Sequence, residues 1–247
     1  MDAIIKLDDI KVKEWEKAKI EFEVTDESGN PLSGRIAVKI NKETKFNTKI
    51  TDGKFSQLVD FSSFHEPEYA LDVIYGGNDE YAPTMESAKI IIEKAEPIFI
   101  PITDLQNACF RLNKWIETNK RVPGKILINK HEVTIGNLFN LLVKAVDNLN
   151  ANNKEDIELK WVQTPTVSSE TITESALLSN EEYIKMTENI KSEISTTKSC
   201  PSFAEVENGK IGFMNLVYIY STIITNSSPN NGLLSGVYIK PWKEIVA

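Results

Sequence analysis

Cysteine is scarce in this chain: its 247 residues include two, Cys109 and Cys200. Two thiols cannot build a disulfide framework or a four-ligand zinc site. They read as buried or half-buried thiols, and nothing in the sequence supports a bridge between them. His65 has no metal-ligating partner at useful spacing, and the sequence calls for no cofactor or metal. Long apolar runs are missing as well. None approaches the roughly 18 residues a membrane-spanning helix needs. Positive charge is in deficit: 28 Lys and Arg face 36 Asp and Glu, a net charge of −8. Residues 1–96 hold 13 against 20 and residues 97–247 hold 15 against 16. Neither part has the basic footprint that phosphate recognition requires, which argues against nucleic acid as a partner. The start, Met1-Asp2-Ala3-Ile4-Ile5, has neither the basic nor the apolar region of a signal peptide. The expectation is an intracellular protein or a piece of a longer one.

With apolar residues at 41% and charged residues at 26%, the composition is that of a globular protein, and the length suits two modest domains. Residues 1–96 read as the first. Apolar residues alternate along Ala18–Val24 (Ile20, Phe22, Val24) and again at Ile36, Val38 and Ile40. Asp26-Glu27-Ser28-Gly29-Asn30-Pro31 and Thr51-Asp52-Gly53-Lys54 supply turns between them. With Phe55–Phe61, Tyr69–Tyr75 and Ala88–Glu93, about seven strands are expected, as in an all-β sandwich. Tyr69, two residues before Leu71, stands where a tyrosine corner would sit.

Residues 97–247 read as an α+β domain made of two copies of one unit, about 100–163 and 178–241, at a gapless offset of 78. Ile116 falls on Ile194, Thr118 on Thr196, Lys120 on Lys198 and Pro123 on Pro201. Asn137-Leu138 falls on Asn215-Leu216, Asn148 on Asn226, and Asn152-Asn153 on Asn230-Asn231. Duplication of this kind marks repeat architectures, and points to recognition of a repetitive ligand more than to one catalytic pocket. Each copy predicts helix, hairpin, helix. In the first, Ile102, Leu105, Ala108/Cys109, Leu112 and Ile116 line one helical face, with Thr103 or the preceding turn as cap. Pro123 disfavours helix at Val122. Ile126–Ile128 and Glu132–Thr134 flank a short turn, and Ile135–Leu149 is helical again. Residues 157–162 predict a closing strand, and 164–178, rich in Ser, Thr and Glu, predict a linker. Neither copy is long enough to bury both its helices alone, so the two are expected to share a core about an approximate two-fold axis.

Two resemblances rest on these residues. Asp26–Leu32 (DESGNPL) and Val73–Tyr81 (VIYGGNDEY) resemble the bacterial and archaeal immunoglobulin-like repeats of surface adhesins, in which a Y-x-G-(D/N)-x-x-Y stretch precedes the last strand. This implies an immunoglobulin-like sandwich over 1–96, serving as a spacer. Asn119–Val146 (NKRVPGKILINKHEVTIGNLFNLLVKAV) resembles a pseudomurein-binding repeat, whose pattern runs N-G-x-L-P-x-x-V-x-I-x-G-K-x-V-S-x-x-x-F-L-x-L-L-x-x-A-I. Here Lys120 replaces the loop glycine, Val122 the leucine, and Lys130-His131 the hairpin Gly-Lys. Gly209–Tyr220 matches less closely, and Leu233–Trp242 resembles the terminal strand that often follows paired repeats. The resemblance implies a non-catalytic module on the pseudomurein wall of methanogenic archaea. It further implies that the chain is a fragment of an adhesin-like surface protein. The implied location is extracellular and cell-wall associated, with the signal peptide absent from this fragment.

A wall polymer of sugars and peptides calls for amides, aromatic platforms and a few basic groups. Residues 102–150 carry seven Lys and Arg against four Asp and Glu, while residues 180–228 carry four against six. The first copy is therefore the stronger candidate for an anionic ligand. Lys120 and Arg121, in the loop before Pro123, and Asn137 and Asn140, three apart at a helix start, are the candidate contacts, with Lys198 and Asn215 as counterparts. Each of Asn137 and Asn215 either binds ligand or braces its own hairpin. Trp161 and Trp242 read as seals at strand ends. Two other functions remain open. One is adhesion to the surfaces of other cells through residues 1–96. The other is a thiol peptidase acting on pseudomurein cross-links, with Cys109, His131 and Asp147 in the chain order of a triad. Asn226-Ser227-Ser228 is a glycosylation sequon.

Overall fold

The computed structural model describes residues 1–227, 230 and 232–247. Asn231 of the duplicated pair and Ser228 of the sequon lie outside the described residues. The chain forms two compact units, Met1–Glu96 and Pro97–Ala247.

The first unit contains eight strands: β1 (Ile4–Leu7), β2 (Ile10–Lys13), β3 (Lys17–Thr25), β4 (Gly34–Ile40), β5 (Glu43–Ile50), β6 (Lys54–Asp60), β7 (Glu68–Tyr75) and β8 (Thr84–Glu93). They form a three-stranded sheet, β1-β3-β6, and a five-stranded sheet, β2-β8-β7-β4-β5. The pairings are antiparallel except β2 with β8, so the first stretch of chain leaves one sheet after Leu7 and joins the other at Ile10. Alternation decides which face is buried. Ile20, Phe22 and Val24 of β3 and Ile36, Val38 and Ile40 of β4 are buried in one core with Leu71, Val73, Tyr75 and Ile90.

The nominated loop motifs are structural fasteners. The Tyr69 hydroxyl accepts from the N–H groups of His65 and Glu66, both at 3.0 Å, closing the corner before β7. The Tyr75 hydroxyl donates to the Ser33 carbonyl at 2.9 Å. Its ring lies where a β-carbon on Gly34 would sit, so residue 34 has to be glycine. Asn78 Oδ1 accepts from the N–H groups of Glu80 and Tyr81, and its amide donates to the Ser33 carbonyl.

The second unit runs β9 (Phe99–Ile100), α1 (Ile102–Asn119), β10 (Lys125–Ile128), β11 (His131–Thr134), α2 (Ile135–Asn150), β12 (Ile157–Glu158), β13 (Ala176–Ser179), α3 (Asn180–Thr197), β14 (Phe203–Val206), β15 (Gly209–Gly212), α4 (Phe213–Asn226), β16 (Gly236–Ile239) and α5 (Trp242–Ile245). From α1 to the start of α2, every element begins 78 residues before its counterpart between α3 and α4. The gapless offset then fails. Ile100 pairs with Ile157, whereas Leu178 pairs with Val237. Ile100 and Leu178 are 78 apart and Ile157 and Val237 are 80 apart, so the second copy has two extra residues between its second helix and its closing strand.

The helices pack crosswise: α1 lies chiefly on α4, α2 on α3, and α2 against α4. The result is one core drawn from both copies, with Phe139 edge-on to Phe213 and Tyr220 at its centre. Helix starts are locally encoded in two cases. The Thr134 hydroxyl accepts from Asn137 N–H to cap α2, and Ser179 with Glu182 forms a capping box on α3. Those bonds to Ser179 hold the Glu182 carboxyl below its ordinary pKa. Helix α1 is different: Pro101 takes the N-cap position without a side-chain bond, so Thr103 lies inside the helix and does not cap it.

Candidate functional site

Lys120 and Lys198 occupy equivalent backbone positions. Each follows a first helix in the left-handed conformation, φ 58° and 56°, and its N–H closes the last turn onto Ile116 or Ile194. This is the conformation glycine usually supplies at a helix end. Both side chains are exposed. Arg121 is exposed too, with its guanidinium 5.3 Å from the centroid of the half-buried Trp115 ring. The positions 78 residues on are Glu193 and Ser199, so this cation-on-indole arrangement belongs to the first copy alone.

The amide candidates lie elsewhere. Asn137, Asn140 and Asn215 are 1%, 5% and 0% exposed, so they present no surface to a polymer beside Lys120 and Arg121. The reason is the position of α2 and α4. Both are apolar nearly all round, and such helices occupy the centre of a core. Asn137 Oδ1 accepts from Val162 N–H at 2.8 Å, and Asn215 Nδ2 donates to the Lys240 carbonyl at 2.8 Å. Val162 and Lys240 are 78 apart, so both amides tie a helix start to the same place in the returning chain. The bracing role offered for these amides by the sequence is the one their geometry fits. Asn215 Oδ1 is buried without a hydrogen-bond partner among the described residues.

The segment read as a linker is an ordered strap that serves both helix starts. Thr164 Oγ1 accepts from Gly136 N–H, and Ser168 Oγ accepts from Met214 N–H, the position 78 residues on. Gln163 exchanges backbone hydrogen bonds with Lys198 and Cys200, Ser169 N–H donates to the Ser202 carbonyl, and Thr171 N–H to that of Lys210. Glu170 Oε2 accepts from Gly212 N–H and from the Asn215 amide, while Oε1 accepts from Trp242 N–H. The strap passes so close that a β-carbon at Gly136 would lie 2.6 Å from the Val162 carbonyl, and one at Gly212 2.7 Å from Ser168 Oγ. One sequence signal pointed here. Helix α4 starts at Gly212, which has no side chain to cap it, so the cap has to come from elsewhere.

The nominated triad does not assemble. Cys109 is fully buried, and that burial pushes its thiol well above the ordinary range, the opposite of an activated nucleophile. Asp147 Oδ2 pairs with Lys191 Nζ at 2.5 Å. His131 opens β11. Among the described residues no hydrogen bond joins any two of the three. Cys200 is also buried, and its Sγ donates to the Gly136 carbonyl at 3.4 Å. Trp242 packs half-buried against the shared core, and Trp161 is half-buried. Among the described residues no group of three or more His, Cys, Asp or Glu side chains is placed to hold a metal, and no helix is long and apolar enough to cross a membrane.

No family model matches the chain, and no curated protein matches it. Solved structures do. Fibronectin(III)-like modules of CbhA from Clostridium thermocellum match with 18% identity and a TM-score of 0.27, over 38% of this chain and 100% of theirs. A chimeric titin Z1Z2 carrying a decorin peptide matches with 11% identity and a TM-score of 0.28, over 38% and 97%. An endo-beta-1,4-mannanase from Thermotoga petrophila matches with 14% identity and a TM-score of 0.26, over 38% and 20%. At such scores these likenesses carry no argument, and the sandwich stands on its own strand pairing.

Proposed function

We propose that residues 97–247 are a non-catalytic module that anchors its bearer to pseudomurein, outside the cell, with the immunoglobulin-like residues 1–96 as a spacer. In this reading the two helix–hairpin–helix stretches are tandem pseudomurein-binding repeats. The observation that carries it is the left-handed backbone at Lys120 and Lys198. The loop glycine of the repeat pattern falls at Lys120, and a left-handed helix end is where a glycine is favoured. The sealed thiol of Cys109 weighs against the peptidase reading. The amide contacts give way to an exposed loop of Lys120, Arg121 and Trp115, which offers charge and a ring face together. Two such copies on one rigid unit would gain from effective concentration against a repeating polymer.

The test is co-sedimentation of the whole chain with purified pseudomurein sacculi, with murein as control. Binding to pseudomurein and not to murein is expected. The double variant Lys120→Gly, Arg121→Ser should lose about five-fold or more in affinity, the scale of one or two charge-assisted contacts. Equal binding to both walls, or none to either, rejects the anchoring role.

A further inference from the structure

On an acidic protein, four lysines gather on the α2–α3 face. Lys144 and Asp147 are three apart on α2 and share a side of that helix. Asp147 holds Lys191 of α3 at 2.5 Å. Lys198 follows Lys191 by seven residues, two turns along the same face. The Lys198 carbonyl accepts from Gln163 N–H at 2.9 Å, which brings the strand end carrying Lys160 alongside. Against four ammonium groups stand two carboxylates. Lys160 pairs with Glu158 at 2.8 Å and Lys191 with Asp147. Lys198 Nζ donates to the Ser195 carbonyl. Lys144 is half-buried and has no carboxylate partner among the described residues.

The opposite seam shows that the fold does not require these charges. The positions 78 residues from Lys191 and Lys144 are Asn113 on α1 and Thr222 on α4, and they hydrogen-bond to each other at 3.2 Å. Asp147 is matched there by Thr225, which bonds its own helix at the Ser221 carbonyl. One seam is closed by neutral groups that satisfy themselves, and the other carries two surplus positive charges.

We propose that Lys144, Lys160, Lys191 and Lys198 form a binding site for a carboxylate-bearing chain such as an acidic peptide. The surplus charge on this face is what an anion would neutralise. Two of the four lysines already hold carboxylates of this chain, so the distances such a ligand requires are the ones present. Burial, and then the neighbouring Lys160, hold the Lys144 ammonium below its ordinary pKa, and a bound carboxylate would reverse that. The identity of the natural polymer rests on the anchoring reading; the site does not.

The whole chain would be titrated by NMR with a short oligoglutamate, with oligoglutamine as the neutral control. Saturable shifts at Lys144, Lys191 and Lys198 are expected with oligoglutamate alone, and should weaken as salt rises. Lys144→Met keeps the apolar stem and should weaken binding about five-fold, as should Lys191→Gln, which leaves the core untouched. Lys130→Met, at the tip of the first hairpin, should change nothing. Absent shifts, an equal response to oligoglutamine, or an equal loss in Lys130→Met overturns the site. Tighter binding of polyphosphate than of oligoglutamate overturns its assignment to carboxylates. Sacculi that bind wild type and not Lys144→Met support the site. Oligoglutamate binding at the cluster without sacculus binding leaves the site standing and removes the anchoring role.

Discussion

Lys120 and Lys198 stand where a side chain is a burden to the backbone. A left-handed conformation costs an L-residue roughly 1–2 kcal/mol relative to glycine, whose own greater unfolded freedom returns part of that. Lys120→Gly and Lys198→Gly are each expected to raise the unfolding midpoint, by about 0.5–1 kcal/mol of stability in denaturant titration. A midpoint that falls in both would mean that the lysine side chains hold their loops, and the backbone argument fails. The same substitution is also the clean probe of binding, because it deletes a charge without weakening the fold. Ala at either position would keep the strained backbone and confound the two effects.

At the scale of elements, the strap from Gln163 to Ile172 does the work that local caps do elsewhere. Glu170 alone receives two backbone N–H groups and one side-chain amide. Glu170→Ala leaves those donors without an acceptor and is expected to cost about 1–3 kcal/mol. Glu170→Gln keeps an acceptor and should cost less. Equal losses in the two variants would mean that the hydrogen bonds are not what matters. Legibility in the sequence follows the distance over which each element is specified. Strands β3 and β4 are announced by residues two apart, and α1 by residues three and four apart, so both were readable from the chain alone. The hairpins followed from a turn between short apolar runs. The strap was not readable, because Thr164, Ser168 and Glu170 act on helices that begin 28 residues earlier and some 45 residues later. Ser, Thr and Glu without periodicity look like solvated linker until the groups they cap are known. The burial of Asn137 and Asn215 was within reach, since their helices are apolar on every side, but the amides drew attention as ligands.

The second unit as a whole is two seams around one core. The α2–α3 seam is bridged by an ion pair, the α1–α4 seam by hydroxyls and amides, and the latter includes Tyr218, whose hydroxyl donates to Glu117 Oε1 at 2.8 Å. Burial, and then that bond to Glu117, push the Tyr218 phenol up to about 12 from an ordinary 10.0. The folded state therefore holds this proton more tightly than the unfolded chain. Its contribution to stability is complete below about pH 10 and disappears as pH rises towards 12. The buried Tyr220 is also shifted upward and adds to the same loss. Unfolding midpoints measured from pH 8 to 12 should fall steeply above 10. In Tyr218→Phe the ring stays and the proton is gone, so the fall should be shallower, with Tyr220 supplying what remains. Superimposable alkaline profiles would place the loss on other groups and remove Tyr218 as the titrating element of that seam.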